Sequence, residues 1–356
     1  MTHVLAARGI SAGFVPDCGV LTDLSVTDQG LTVAPMHRAP WVGQAMPAGT
    51  PPHLARLQGD FFCAPFADAS QDRAPLHGWP ANALWRVEQT SPLHLTAMLD
   101  RPVMGARLVK TLALRDGHPF VYQTHAFAGG AGRIGAANHA MVSLPHGGLI
   151  CLSPKASYRT PAQTMEPDPA RGRSALRYPG AATDPRRFPG QHGPVDLTTW
   201  PFGPAHEDFV VALEPPGAHL AWTAVVRPVE GDCYLSLRRA DEAPATMLWH
   251  SNGGRDYAPW SGRHRHCLGV EEGFQGPILG TDDLARRDLV LGGTACLRHV
   301  TGAFRWPTGC RVVDVAAVDD VLIVTGDDGA ERRLGYDPGH LEQGDVGDVS
   351  RGRYQL

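Results

Sequence analysis

The chain has 356 residues, a formal net charge of −4 and a sequence pI of about 6.5, so it lacks the broad basic field that holds nucleic acid or an anionic membrane. Its 41 glycines and 31 prolines are typical of a globular chain with many turns. The seven cysteines form no Cys-x-x-Cys pair, which favours buried, reduced thiols. Neither a signal-peptide pattern nor a bilayer-length apolar run is present, and we therefore expect a cytoplasmic protein.

The order of apolar and turn-forming residues predicts strands along nearly the whole chain. Short apolar stretches from 12 to 33 predict strands joined by tight turns, and the prolines of 34–58 predict a loop that wraps the core. An Asp-Gly pair at 116–117 and a Gly-Gly pair at 129–130 indicate turns. Alternating apolar and polar residues predict strands at 93–98, 106–114, 120–127, 134–144, 209–213, 220–226, 233–238, 247–250, 288–298, 311–316, 320–325 and 332–336.

These patterns predict an all-β fold, a large antiparallel β-sandwich with few or no long helices. No repeat or linker divides the sequence, so residues 1–356 are expected to form a single domain. Residues 153–205 are rich in proline and arginine and predict a long irregular excursion that rims a cleft. From about residue 286 to 356 we expect an added C-terminal hairpin and a loose tail.

Two local motifs point to cofactors, and both are better explained without one. Residues 130–135 read Gly-Ala-Gly-Arg-Ile-Gly, but the dinucleotide fingerprint needs a helix at this point and an acidic residue about twenty positions later. Two histidines, His264 and His266, share one face of a predicted strand, whereas alternation places Cys267 on the other face. A metal centre needs a third and a fourth ligand, so we expect no metal and no cofactor.

The segment His77-Gly78-Trp79-Pro80-Ala81-Asn82-Ala83-Leu84-Trp85-Arg86-Val87 resembles the signature of the aldose 1-epimerase (galactose mutarotase) family. The strand around Asn138-His139 is similar in outline to the family's strand with the proton-donating histidine, although the aromatic pair that follows it there is missing. Leu268-Gly269-Val270-Glu271-Glu272-Gly273 resembles the late strand that ends in the catalytic glutamate. The resemblance implies the galactose mutarotase-like supersandwich fold.

The resemblance also implies roles for individual residues. Glu271 takes the place of the catalytic base, with its neighbour Glu272 as the alternative, His139 that of the acid, and His77 that of a ligand to the sugar. Two positions depart from the family, since Asp60 and Ala81 stand where it often has arginines. Aromatic rings stack on sugar faces and polar side chains bind hydroxyls, so the further candidates for sugar binding are Asp60, Asn82, Asn138, Trp249, Asn252 and Arg255.

The function implied by the resemblance is cofactor-independent interconversion of sugar anomers by general acid and base catalysis. One alternative is a non-catalytic carbohydrate-binding protein on the same fold. Another is an epimerase for a phosphorylated or acidic sugar, because the arginines of 171–187 match such anions. The expected partner is a small-molecule sugar, and the identity of the sugar and the oligomeric state stay open.

Overall fold

The computed structural model describes residues 1–67, 73–274 and 288–342. Almost all regular structure in these residues is strand, and the two α-helices, α1 (Pro52–Ala55) and α2 (Gly339–Glu342), are single turns. None of the helices in the described part of the chain has the length and apolar character needed to cross a membrane.

The strands are β1 (His3–Ala7), β2 (Ile10–Val15), β3 (Val20–Asp28), β4 (Leu31–Val33), β5 (Asp60–Cys63), β6 (Trp85–Thr90), β7 (His94–Leu99), β8 (Ala106–Ala113), β9 (Phe120–Ile134), β10 (Ala137–Ser143), β11 (Gly148–Leu152), β12 (Ser157–Arg159), β13 (Ala181–Ala182), β14 (Phe188–Pro189), β15 (Pro194–Val195), β16 (Thr199–Trp200), β17 (Glu207–Leu213), β18 (Leu220–Arg227), β19 (Asp232–Arg239), β20 (Ala245–Ser251), β21 (Cys267–Gly273), β22 (Leu289–Arg305), β23 (Val312–Val318), β24 (Val321–Gly326) and β25 (Glu331–Gly335).

Two large antiparallel sheets stack on each other and confirm the predicted all-β sandwich. The eleven-stranded sheet has the order β1-β2-β3-β5-β10-β21-β20-β17-β12-β13, with β4 beside β3, and the nine-stranded sheet has the order β16-β11-β18-β19-β22-β9-β8-β7-β6. Apolar side chains of both sheets fill the space between them, for example Val142 and Val270 from one sheet and Val225 from the other. A smaller three-stranded sheet, β23-β24-β25, packs its apolar face on the nine-stranded sheet.

A buried ion-pair network also lies between the two sheets. Arg238 of β19 donates to Glu272 of β21 over 2.6 Å and pairs with Glu214, which Lys155 contacts at 2.7 Å. Because all four side chains are buried and hydrogen-bonded to one another, each charge has a partner that offsets its desolvation. This network belongs to the interior of the sandwich and not to its surface.

The bounds of the predicted strands agree with the observed ones to within about three residues, except that β9 and β22 both run seven residues further than predicted. The pair Gly129-Gly130 does not reverse the chain, because β9 runs on to Ile134. Both glycines have φ near +76°, and the pairing register with β22 shifts opposite them, so they form a bulge and not a turn. The dinucleotide-like segment 130–135 therefore lies at the end of a long strand.

The predicted irregular excursion at 153–205 and the predicted C-terminal hairpin and loose tail are both partly ordered. Between 153 and 205 the structure has only strands of two or three residues and one 3₁₀ turn (Pro185–Arg187). The C-terminal part divides, because β22 is an inner strand of the nine-stranded sheet while β23 to β25 form the separate small sheet. The tail packs as far as Leu341, which is buried, and residues 343–356 lie outside the described part of the chain.

Candidate active site

A cavity of about 540 Å³ opens on the face of the eleven-stranded sheet that points away from the nine-stranded sheet. Its floor comes from four neighbouring strands, β10, β21, β20 and β17, and its walls come from the loops around α1 and after β5, β12 and β20. The lining residues are Pro51, His53, Leu54, Leu57, Phe66, Ala67, Leu76, His77, His139, Pro161, Gln163, Met165, Phe209, Trp249, Arg255, Tyr257, Ala258, Pro259, Trp260 and Glu271.

An imidazole and a carboxyl group meet on the cavity floor. His139 and Glu271 are directly opposite each other in the antiparallel pair β10 and β21, so both side chains project to the same face. His139 Nε2 lies 3.1 Å from Glu271 Oε1, and the side chains are only 4% and 2% exposed. Burial raises the pKa of Glu271 well above its usual range and lowers the pKa of His139 to about 3, so the uncharged forms are favoured.

The turn after β5 brings a second imidazole to this pair. The ring of His77 lies 5.4 Å from that of His139, centroid to centroid, and burial lowers its pKa well below the usual range. The next residue, Gly78, has φ +73°, and a Cβ there would lie 1.9 Å from the carbonyl oxygen of Ala64. Only glycine fits this close approach, which explains the His-Gly pair of the signature segment.

A third imidazole, from His53 on α1, completes this group and was missed by the sequence interpretation. Its ring centroid is 5.0 Å from that of His77, and the side chain lines the cavity. His53 lies in the proline-rich segment that was predicted to be a plain loop. Its position directly after Pro52 was the available signal, because proline at the first helical position starts a helical turn.

Arg255 and two tryptophans form another part of the cavity wall. The guanidinium carbon of Arg255 is 4.2 Å from the ring centroid of Trp260 and 6.0 Å from that of Trp249. Glu207 holds this part of the wall together, since its carboxylate lies 3.1 Å from Arg255 and accepts hydrogen bonds from the Trp249 indole and from Ser251. Glu207 was not identified from the sequence, because β17 was predicted to begin at residue 209 and begins at Glu207.

Four of the predicted sugar-binding residues lie outside the cavity lining. Asp60 is in β5, the strand beside the floor, and Asn138 is in the floor strand β10. Phe61 stacks on His139, which lines the cavity, so by alternation the side chains of Asp60 and Asn138 point to the nine-stranded sheet. Asp60 accepts hydrogen bonds from the Gln123 side chain and the His139 backbone.

Asn82 and Asn252 make local contacts instead of lining the cavity. Asn82 bonds to His53, Leu76 and Gly78. The side chain of Asn252 donates to the carbonyl oxygen of Gly203 over 3.3 Å. The predicted residues that do line the cavity are therefore His77, His139, Trp249, Arg255 and Glu271.

The structure places the two neighbouring glutamates on opposite faces of β21. Glu271 lines the cavity, whereas Glu272 accepts hydrogen bonds from Arg238 and Thr223 and contacts His299 inside the sandwich. Although burial by itself would raise the pKa of Glu272, Arg238 and the hydrogen bonds lower it. Of the two carboxyl groups, only that of Glu271 reaches the cavity.

The histidine and cysteine motif at 264–267 has a different arrangement from the predicted one. Possible ligand atoms of His264 and Cys267 lie within 4.8 Å of each other and of His37, and all three side chains are buried. His266 is exposed and is not part of this group. The sequence interpretation had separated His264 from Cys267, because it treated the segment as one strand, whereas β21 begins at Cys267.

Comparisons with known proteins reveal similarity in structure but not in sequence. No family model matches the chain, and no curated protein matches it. Among solved structures, the Slr1438 protein from Synechocystis sp. PCC 6803 has a TM-score of 0.57 at 15% identity, covering 86% of this chain and 96% of its own.

Two further solved structures from lactobacilli are similar to the same extent. A galactose mutarotase related enzyme from Lactobacillus acidophilus has a TM-score of 0.55 at 12% identity, covering 86% of this chain and 98% of its own. A galactose mutarotase-like protein from Lactobacillus casei ATCC 334 has a TM-score of 0.55 at 13% identity, covering 85% and 100%. The chain therefore has the fold of galactose mutarotase-like proteins.

Proposed function

We propose that this protein is an aldose 1-epimerase of the galactose mutarotase type, which interconverts the anomers of a free sugar. The observation that carries the proposal is the contact of 3.1 Å between His139 and Glu271 at the floor of the cavity, with His77 beside it. The similarity to galactose mutarotase-like structures supports it at the level of the fold.

Mutarotation needs one base and one acid. The base removes the proton of the anomeric hydroxyl, the acid delivers a proton to the ring oxygen, and the opened aldehyde rotates before the ring closes on its other face. We assign Glu271 as the base, His139 as the acid and His77 as the residue that orients the sugar. Each proton-transferring group typically contributes a factor of about 10²–10⁴ to the rate.

The pair reaches the protonation state that this assignment needs when one proton moves from Glu271 to His139. Burial favours a protonated Glu271 and a neutral His139. Movement of that proton across the 3.1 Å contact gives the carboxylate and the imidazolium that the reaction uses. A sugar hydroxyl that donates a hydrogen bond to Glu271 stabilises the carboxylate and so favours this transfer.

The arginines of 171–187 give little support to the alternative of a phosphorylated sugar. Arg173 is paired with Asp256, and Arg171 stacks on Tyr257 at 4.2 Å. Within the described lining of the cavity, Arg255 is the single Lys or Arg, and Glu207 neutralises it. A phosphate group prefers unpaired guanidinium groups that bind it in a bidentate manner, so the proposed substrate is an uncharged aldose.

Polarimetry of freshly dissolved aldoses tests the proposed function. The wild-type protein is expected to accelerate the approach to anomeric equilibrium for at least one sugar, and Glu271→Gln is expected to abolish the acceleration. Calorimetry with the same sugars separates the alternatives. Saturable binding without acceleration supports the carbohydrate-binding protein, whereas neither binding nor acceleration across the panel shows that the proposed function is wrong.

A further inference from the structure

His53 makes a set of contacts that the acid and base chemistry does not use. It lines the cavity, and its ring is hydrogen-bonded to Asn82, the asparagine of the signature segment. Asn82 Oδ1 lies 2.8 Å from His53 Nδ1 and also accepts the backbone N–H of His53 over 3.3 Å. A single amide oxygen therefore contacts both the main chain and the ring of His53.

The orientation of the Asn82 amide follows from its other partners. Asn82 Nδ2 donates to the carbonyl oxygens of Gly78 over 2.7 Å and of Leu76 over 2.9 Å. A flipped amide would place its oxygen against these two carbonyl oxygens and its NH₂ group against the N–H of His53, so three contacts would become repulsive. The oxygen therefore faces His53.

This orientation determines the tautomer of the His53 ring. Since Asn82 Oδ1 only accepts hydrogen bonds, His53 Nδ1 must carry the proton and donate it. Burial lowers the pKa of His53, and the bond to Asn82 offsets only part of this effect, so the ring is neutral near pH 7. A neutral imidazole with its proton on Nδ1 has a lone pair on Nε2, and Nε2 is the ring nitrogen left for a ligand in the cavity.

We infer that His53 is a specificity-determining residue, whose Nε2 accepts a hydrogen bond from one hydroxyl group of the bound molecule, and that Asn82 is its positioning residue. The ligand class is a compound with a hydroxyl donor at that place, which under the proposed function is one non-anomeric hydroxyl of the aldose. A site built to bond a hydroxyl rejects an analogue without it, because the protein group then stays unpaired.

The tautomer is tested without any ligand by long-range ¹H–¹⁵N spectra of protein labelled in histidine. The His53 signals are assigned as those missing in His53→Gln. Nε2 is expected at the shift of an unprotonated ring nitrogen and Nδ1 at that of a protonated one, and Asn82→Ala is expected to mix the two tautomers. A proton on Nε2 in the wild-type protein would overturn the inference.

The hydroxyl contact is tested with monodeoxy derivatives of the aldose that binds best. His53→Phe removes the acceptor and is expected to weaken binding of the parent sugar about tenfold, the upper range for one hydrogen bond, while kcat changes much less than KM. One monodeoxy sugar is expected to bind wild type and His53→Phe equally. His94→Phe on β7, outside the cavity lining, is the matched control and should bind every sugar as the wild type does.

The outcomes separate this inference from the proposed function on which its ligand rests. Equal weakening of all monodeoxy sugars by His53→Phe overturns the inference even if mutarotation is observed. Selective loss for one hydroxyl, measured by calorimetry in a protein that does not accelerate mutarotation, supports the inference and rejects the proposed function. Absence of binding to any sugar rejects both. If His53→Phe does not fold, His53→Gln is compared across the same deoxy sugars.

Discussion

The neighbouring residues Glu271 and Glu272 give the sharpest prediction, because the same substitution at each should have opposite consequences. Glu271 faces the cavity and contacts His139 at 3.1 Å. Glu272 faces the interior and is held by Arg238 and His299 at 2.6 and 2.8 Å. We expect Glu271→Gln to lose activity and keep its stability, and Glu272→Gln to lose stability.

The magnitudes follow from what each carboxyl group does. Glu271→Gln removes the proposed base and should lower kcat by a factor of about 10²–10⁴. Glu272→Gln removes one partner of a buried ion pair and leaves Arg238 with a charge that Glu214 alone offsets, which typically costs about 3–5 kcal/mol of unfolding free energy. A glutamine can still accept a hydrogen bond from Arg238, so the lower end of this range is expected.

The pH dependence of stability gives a second test, because the pKa shifts of Glu271 and Glu272 have opposite directions. The pKa of Glu271 is raised in the folded state, so its contribution is greatest below its unfolded pKa and is lost as the pH rises. Relative to wild type, Glu271→Gln should therefore gain stability as the pH rises above the unfolded pKa of a glutamate, about 4.3. The pKa of Glu272 is lowered, so its contribution is present above the unfolded pKa and disappears in acid, where Glu272→Gln should approach wild type.

Urea unfolding followed by tryptophan fluorescence at several pH values measures these stabilities, and polarimetry measures the activity of the same samples. Loss of mutarotation in Glu272→Gln, in a protein as stable as wild type, would contradict the roles assigned to the two glutamates. A loss of several kcal/mol of stability in Glu271→Gln at neutral pH would contradict them as well, since it would make Glu271 a structural residue.

Three further substitutions have definite expected outcomes. His139→Gln should remove mutarotation to a similar extent as Glu271→Gln, and should reduce the loss of stability between about pH 6.5 and pH 3 in circular dichroism, because the folded pKa of His139 is lowered to about 3. Asp60→Asn should destabilise the protein by about 1–3 kcal/mol in urea unfolding without selecting among sugars in calorimetry, since Asp60 bonds inside the sandwich. Arg187→Ala should leave sugar binding unchanged, because Arg187 is outside the cavity lining, and weaker binding would revive the phosphorylated-sugar alternative.

The sequence was sufficient for many strands because short runs of apolar residues are bounded by turn-forming residues. Strands β8 (Ala106–Ala113) and β18 (Leu220–Arg227) agree with prediction to within one residue, although β8 is fully buried on one face and β18, apart from Leu220, on both. The Gly129-Gly130 pair shows where local signals are not sufficient. A glycine pair predicts a turn unless a long partner strand is available, and β22 (Leu289–Arg305), which pairs with β9 on both sides of the bulge, lies far away in the sequence.

The residues of the candidate site that were predicted lie on strands of the floor or in the signature turn, apart from Arg255 in the glycine-rich loop after β20. Alternation places Glu271 and Glu272 on opposite faces of their strand, but the register of β21 with β10, which decides which of them shares a face with His139, comes only from the structure. His53 and Glu207 could not be predicted from spacing. The first reaches the site through the path of a proline-rich loop, and the second acts through Arg255, which is 48 residues away in the sequence by its numbering.

Asp60 shows why a buried residue that does not line the cavity can still influence the proposed chemistry. Its carboxylate lies between the sheets, where one oxygen accepts the Gln123 side chain of the nine-stranded sheet at 2.7 Å and the other accepts the backbone N–H of His139 at 3.1 Å. The backbone of the proposed acid is thus attached to both sheets, while its ring faces the cavity. Because small displacements of a proton donor strongly reduce its efficiency, this attachment favours a pair that is held rigidly before a sugar binds.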